Sequence, residues 1–374
     1  MNLPRHQRSR PAFADMFERD DAETIAAMDG GGYDIPNQAP QTPLALQRVG
    51  VNRRAIPVQI VDPFGGSQPA QLSCAVEAHV SVADDRRGIH VSRIGHLLAE
   101  MSDKVYPSLQ DYAARFAELL LETQESRGAG VSVDGVLTYL EQVSGVKEKA
   151  SLEHLDLFAK ADFVDGRISV ASGIGFTHIT ACPCVQETYR HSFASAAVAS
   201  GRARRADEMP LLTHTQRCRT RILFSHGATA PPGLGELLRC LDGVVVRSLN
   251  TLPREFELLN VYRAHAGPQF LEDALRDLLF AVYQLRRGAD PREAIEIKSV
   301  SMESIHDFDM EGEIKFSLKE LERIFHSQSS IKLVSNGAHS NGDRRIVRVQ
   351  KAGRKKPGKP FPMNKSPQAH SRRS

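Results

Sequence analysis

Residues Ala70–Ala83 read AQLSCAVEAHVSVA. Apolar side chains alternate there with polar or small ones, the two-residue period of a strand with one buried face. The preceding AIPVQIVDP, from Ala55, has the same habit. The period then changes. In YPSLQDYAARFAELLLETQESRG, Leu109, Tyr112, Phe116, Leu119 and Leu120 recur at helical spacing, with Pro107 near the start and Gly128 near the end. The theme returns further on. RCRTRILFSHG (Arg217–Gly227) alternates as a strand, PPGLGELLRCLDG reads as a short helix and GPQFLEDALRDLLFAVYQLRRG (Gly267–Gly288) as a long one. EIKSVSMESIHDF and EGEIKFS read as a hairpin closed by a helix at LKELERIF. DFVDGRISVASGIGFTHITACPC reads as extended chain with an inner turn, and Val136 to Phe158 as helical, broken at Gly145. Strands come in groups and do not alternate singly with helices. The expected class is therefore α+β with antiparallel sheets, not a doubly wound fold. A strand pair followed by a long helix occurs twice, which hints at internal duplication.

The chain has 374 residues, 41% hydrophobic and 25% charged, an ordinary globular composition. No run of 18 apolar residues is present, so no membrane-spanning helix is expected. MNLPRHQRSRPAFADMFERDD has basic residues without an apolar segment after them, unlike a secretory signal. Five cysteines do not make a disulfide framework and fit a reducing cytoplasm. Residues 331–374 hold twelve Lys or Arg and one Asp, a net of +11; the remainder carries −8 against the total of +3. Residues 1–50 and the segment after Gln328 have the composition of weakly structured chain, the latter a basic disordered tail.

The chemistry concentrates in a few places. THITACPCVQETYRH (Thr177–His191) sets Cys182 and Cys184 one residue apart around a proline, a spacing too strained for a disulfide. PLLTHTQRCRTR carries His214, PREFELLNVY carries Glu255 and Glu257, and SMESIHDFD carries Glu303, His306, Asp307 and Asp309. One thiolate, two imidazoles and a carboxylate would suit Zn²⁺ or Fe²⁺ with a position left open for water. The competing reading is buried thiols and hydrogen-bonded core histidines. Cys74, Cys218 and Cys240 lie in apolar patterns and read as core packing. Arg217, Arg219 and Arg221 alternate on one strand face, and RRGIHVSRIGH adds His90 and Arg93. Such cations suit phosphate, or simply form a solvated sheet face.

DIPNQAPQTPLALQRVGV, RRGIHVSR, TACPC, LTHTQR, PQFLED and MESIH, in that order, resemble the metal-dependent GTP cyclohydrolases of type IB, which include a bacterial folate-pathway enzyme and archaeal MptA relatives. The resemblance spans roughly residues 34–326. It implies tandem tunnelling-fold modules, antiparallel sheets backed by paired helices, assembled as a homotetramer with active sites between subunits. The layout expected is 1–50 weakly structured, 51–170 first module, 171–328 second module and 329–374 tail. The reaction implied is hydrolytic opening of GTP at C8 with loss of formate. The bacterial branch yields 7,8-dihydroneopterin triphosphate and the archaeal branch a 2′,3′-cyclic phosphate.

Carried onto this sequence, the resemblance makes Cys182 a metal ligand and essential thiol, with His214, Glu257 and His306 as the other ligands. Glu257 stands fifteen residues before Glu272, as in the family, with Glu255 as the alternative. Glu272 would anchor the guanine edge and assist proton transfer, while Arg217, His90 and Arg93 would hold triphosphate or ribose. The metal would be Fe²⁺, Zn²⁺ or Mn²⁺. Cys184 would be a neighbour packed beneath the site, or less favourably a second ligand. The sequence departs from the family at Phe308, where a second histidine is usual, at Val91 and at Thr215. The Cys182–His214 interval of 32 residues is nearer the archaeal pattern, and it contains GRARRADEMP, read as an exposed excursion. Two other readings compete: a tunnelling-fold enzyme acting on a pterin or deazapurine, such as a nitrile reductase using cysteine and NADPH, and a binding protein working through its basic tail. Nucleic acid is not expected as a partner, because that tail has one Phe and no Tyr to stack on bases.

Overall fold

The computed structural model describes residues 34–142, 150–202, 211–225 and 230–335. Segment 1–33, most of the GRARRADEMP excursion, Gly145 and the basic tail beyond 335 lie outside the described residues. Strands β1 (Leu46–Ile60) and β2 (Ala70–Val82) pair antiparallel. Helices α1 (Val91–Ser102) and α2 (Leu109–Gln124) follow, separated by the short β3 (Val105–Tyr106). Then come β4 (Gly128–Gln142), β5 (Ala150–Val164), β6 (Arg167–Ala181) and the short helix α3 (Pro183–Tyr189). A π-turn (Arg190–Ala194) joins α3 to α4 (Ser195–Ala199). The second half continues with β7 (Thr215–Ser225), α5 (Leu234–Asp242), β8 (Val246–Arg247), α6 (Arg254–Ala266) and α7 (Leu271–Leu285). It closes with β9 (Ala294–Met302), β10 (Met310–Ser317) and α8 (Leu318–Ser335).

The ten strands among the described residues form one sheet, ordered β10-β9-β7-β6-β5-β4-β2-β1-β3, with β8 added beside β6. The order contains the same unit twice. β1-β2-β4-β5 and β6-β7-β9-β10 are each two antiparallel strands, helices, then two more antiparallel strands. This is the tandem α+β arrangement expected. The repeats begin at Leu46 and Arg167, inside the segments assigned above to the N-terminal region and the first module. They join at Asp165 and Gly166, both with positive φ (50° and 75°), where an Asp-Gly pair meets the demand of a tight hairpin.

The strand at Ala70–Val82 behaves as its pattern requires. Leu72, Cys74, Val76, Ala78, Val80 and Val82 are all buried, and the first five share with Tyr112, Phe116 and Leu120 of α2 one core that continues through Ile222, Leu241 and Leu278 of the second half.

One expectation fails. Where it is described, Val136–Phe158 is not helical: it is the end of β4 and most of β5, with residues 143–149 outside the described residues. Leu152 and Leu155, three apart, mimic a helical stripe. In fact Leu152 is 51% exposed while Ser151 and Glu153 are buried. These polar residues occupy the core face because they bind backbone. The Glu153 carboxylate accepts the Asn250 N–H (2.8 Å) and the Ser151 hydroxyl accepts the Thr251 N–H (2.9 Å). Nearby, Arg247 donates to Glu141, Asp242 and the Tyr139 hydroxyl. Burial disfavours its charge, but its bonds to the Asp242 and Glu141 carboxylates more than offset that and raise its pKa. The first half thus fixes the chain leading into α6.

The body ends at Phe325, and a second unit starts at His326, of which the remainder of α8 is described. That helix reaches Ser335, past the expected start of the tail at 329. No helix among the described residues is long and apolar enough to cross a membrane.

Candidate functional site

The site is built where β6 ends and β7 begins. Ala181 pairs with Thr215 at the last register position. One residue further, the Cys182 N–H donates to the His214 carbonyl (3.1 Å) and the Thr213 hydroxyl donates to the Cys182 carbonyl (2.6 Å). Pro183 occupies the first turn of α3, where a missing N–H costs nothing. Cys182 is therefore the N-cap residue, with extended backbone and no side-chain capping bond. Its thiol is half-buried and carries no structural duty. Cys184 is exposed in the first turn of α3, not packed beneath the site as expected. The helix that starts at Pro183 turns it outward.

His214 is held from the other side. Its Nδ1 lies 3.0 Å from the Ser304 hydroxyl. Ser304 is two residues beyond the end of β9, whose Met302 pairs with Arg217. This bond leaves His214 Nε2 for another partner. His306 follows on the same loop, exposed, its ring stacked on Phe308 (5.2 Å, 12°). Three blocks distant in sequence thus meet at one end of the sheet.

Beneath them lies a buried polar layer. His178, fully buried, bonds Thr220 (2.8 Å), which bonds Ser299 (2.7 Å). Burial pushes the His178 pKa down to about 4, so it is a neutral core imidazole and not part of the site. Cys218 bonds Thr180 (3.6 Å), and burial raises its pKa. Cys74 and Cys218 are core thiols as expected, and Cys240 is half-buried.

Two helices approach the same end. The Gln269 N–H donates to the Ala181 carbonyl (3.1 Å), which brings the start of α7 beside Cys182. Glu272 is exposed in the first turn of α7. The C-terminal end of α6 is tied to α3, since Gln186 Nε2 donates to the His265 carbonyl (2.6 Å). Glu255 and Glu257 are exposed in the first turn of α6. Glu257 therefore lies about 12 Å along the helix from that tie. Among the described residues no three His, Cys, Asp or Glu side chains converge closely enough to hold a metal ion.

The remaining cations fall in two places. Arg217, Arg219 and Arg221 are all exposed on the sheet face away from the helices, and Arg221 lies 3.6 Å over the Phe158 ring. His90 and Arg93 belong to a different cluster. His90 caps α1, and its backbone N–H donates to the Gln124 side chain (2.9 Å). Its Nε2 is 3.4 Å from the Asp34 carboxylate. Arg93 donates to the Thr123 carbonyl (2.8 Å). Strand register puts the end of β2 beside the start of β4 and the end of β5, hence beside the start of β6. His90 and Arg93 thus stand at the opposite end of the strands from Cys182, and one chain does not bring them together.

Ser304 escaped the reading of the sequence. A hydroxyl two residues before His306 was visible, but only the strand pairing brings it to His214.

Residues 33–311 match the type I GTP cyclohydrolase folE2 family, GCHY-1. GTP cyclohydrolase MptA of Thermoplasma volcanium is 25% identical over 292 residues, covering 78% of this chain and 97% of that one. GTP cyclohydrolase MptA of Methanococcoides burtonii is 27% identical over 292 residues, covering 73% and 90%. In structure the chain is similar to uricase from Arthrobacter globiformis, at 9% identity with a TM-score of 0.44, covering 74% of this chain and 96% of that one. With a match over most of its length, this chain belongs to the type I GTP cyclohydrolase folE2 family.

Proposed function

We propose that this GTP cyclohydrolase opens the guanine imidazole ring of GTP at C8, releases formate and yields 7,8-dihydroneopterin triphosphate. We further propose that it uses a divalent metal held by Cys182, His214, His306 and Glu257. The observation that carries the reading is the junction of Cys182 and His214 at the β6–β7 end, with the His306 loop bonded to it through Ser304. The donor chemistry fits: an unengaged thiol and an imidazole whose Nδ1 is already bonded, leaving Nε2. Bound Fe²⁺, Zn²⁺ or Mn²⁺ would supply hydroxide near neutral pH for attack on a poorly electrophilic carbon.

The side chains do the rest. Glu272 can accept from N1–H and the 2-amino group of guanine together, which fixes the ring's orientation. It can also pass a proton to the ring nitrogen as the C8–N bond breaks. Arg217, exposed beside the junction, suits a phosphate oxygen. His90 and Arg93 would serve the triphosphate or ribose from another subunit. Their distance from Cys182 within one chain supports a homotetramer with active sites between subunits. The five cysteines fit a cytoplasmic setting with reduced thiols.

A second reading keeps the ring opening and changes the product. The 32-residue interval from Cys182 to His214 and the MptA relatives favour the 2′,3′-cyclic phosphate. Mass spectrometry of the pterin formed from GTP separates the two: a retained triphosphate supports the first, a cyclic phosphate the second.

Ser304→Ala is expected to weaken metal affinity by about tenfold or more, because the outer hydrogen bond that orients a ligand imidazole is lost. Competition with a chelator measures this directly. Unchanged metal affinity would show that Ser304 does not orient His214.

A further inference from the structure

Two hydrogen bonds of one residue tie together the segments that carry Cys182 and His214. His265 stands in the last turn of α6. Its carbonyl is among the last four of the helix, which have no partner within it. Gln186 of α3, 1% exposed, supplies one, its Nε2 donating to this carbonyl (2.6 Å). The His265 ring makes the second bond. Its Nδ1 lies 3.2 Å from the Leu211 carbonyl, which can only accept, so Nδ1 carries the proton and donates. Leu211 is three residues before His214, in a stretch without strand pairing, since β7 begins at Thr215. In that stretch Thr213 and His214 are themselves bonded to Cys182. The contacts close a circuit. Cys182 caps α3, α3 carries Gln186, Gln186 holds His265, His265 holds Leu211, and the chain returns through His214 to Cys182. α6 buries only Ala264, so packing alone would fix this end weakly.

We infer that His265 is a positioning residue for His214: it anchors the chain that enters His214 and so sets where that imidazole stands beside Cys182. This rests on the reading of Cys182 and His214 as metal ligands. Ser304 orients the His214 ring, and His265 fixes the backbone that presents it. The role uses His265 Nδ1 as a donor and asks nothing of Nε2. An asparagine carries its amide nitrogen on the same carbon, Cγ, and can therefore take over the bond.

The test measures Zn²⁺ affinity of the full chain by competition with a chelator, with circular dichroism confirming that each variant is folded. His265→Ala keeps the carbonyl that Gln186 holds and loses only the ring. It is expected to bind Zn²⁺ about tenfold more weakly, the scale of losing an outer group that holds a ligand in place. His265→Asn is expected to recover most of that loss. In a His214→Ala background, His265→Ala should weaken affinity no further, because the ligand it positions is gone. Unchanged affinity in His265→Ala would overturn the inference. So would a His265→Asn variant as weak as His265→Ala, which would give the ring a role other than this bond. An equal loss from His265→Ala with and without His214 would show that it acts elsewhere. Unchanged affinity in His214→Ala itself would instead sink the ligand reading of His214, and the inference with it.

Discussion

Replacing Cys182 with alanine is expected to abolish formate release from GTP, a loss of at least about a thousandfold, in a protein that still folds. Removing a metal-ligating or nucleophilic group costs rate on this scale because the remaining groups cannot substitute for it. The fold has little stake in the thiol. Cys182 makes its structural bonds through its backbone, to His214, Thr213 and Gln186. Its side chain caps nothing and is only half-buried. The stability change should therefore stay within about 1 kcal/mol, as for substitutions that create no cavity and no unpaired polar group. Stopped turnover with an unchanged urea midpoint is the expected pair of results. Appreciable activity in the variant would remove Cys182 from the proposed ligand set.

The largest stability effect should come from Glu293→Ala. Arg286, at the end of α7, and Glu293, just before β9, form a bidentate pair (2.7 and 2.5 Å). Arg286 is 7% exposed and Glu293 1%. Arginine cannot shed its proton to escape burial. Removing the carboxylate leaves an uncompensated charge, and the expected cost is about 3–5 kcal/mol, read as a drop in the urea midpoint. Exchanging both partners together, Arg286→Met with Glu293→Leu, should recover most of that loss, because the isolated charge is what destabilises. This turn links α7, which carries Glu272, to β9, which leads to Ser304 and His306. A cost under about 1 kcal/mol for Glu293→Ala would show that water reaches the pair.

Much of this was legible in the residues. The alternation in Ala70–Val82 and Thr215–Ser225 survives intact because each strand has one face against helices and one open. The long stripe of α7 was equally plain. β5 was hidden because its core face begins with Ser151 and Glu153, which bind the backbone at 250–251; a distant segment decided that pattern. α6 was missed because it is only weakly amphipathic: of its thirteen residues Ala264 alone is buried. For the site, the sequence blocks named Cys182, His214 and His306, and strand register explains why Cys182 lies beside His214 and why the loop that carries Ser304 and His306 reaches His214. The sequence could not reveal that His90 and Arg93 sit at the far end of the strands. That follows from the pairing of β2, β4, β5 and β6, a property of the whole sheet.

The most direct measurement is formate release from GTP by the purified full chain, held anaerobically, first stripped of metal and then supplied with Fe²⁺, Mn²⁺ or Zn²⁺ in turn. The account predicts no formate from the stripped protein, and one formate per pterin formed once a suitable ion is restored. Folded, metal-loaded protein that yields no formate with any of the three ions, or stripped protein that is fully active, would contradict it.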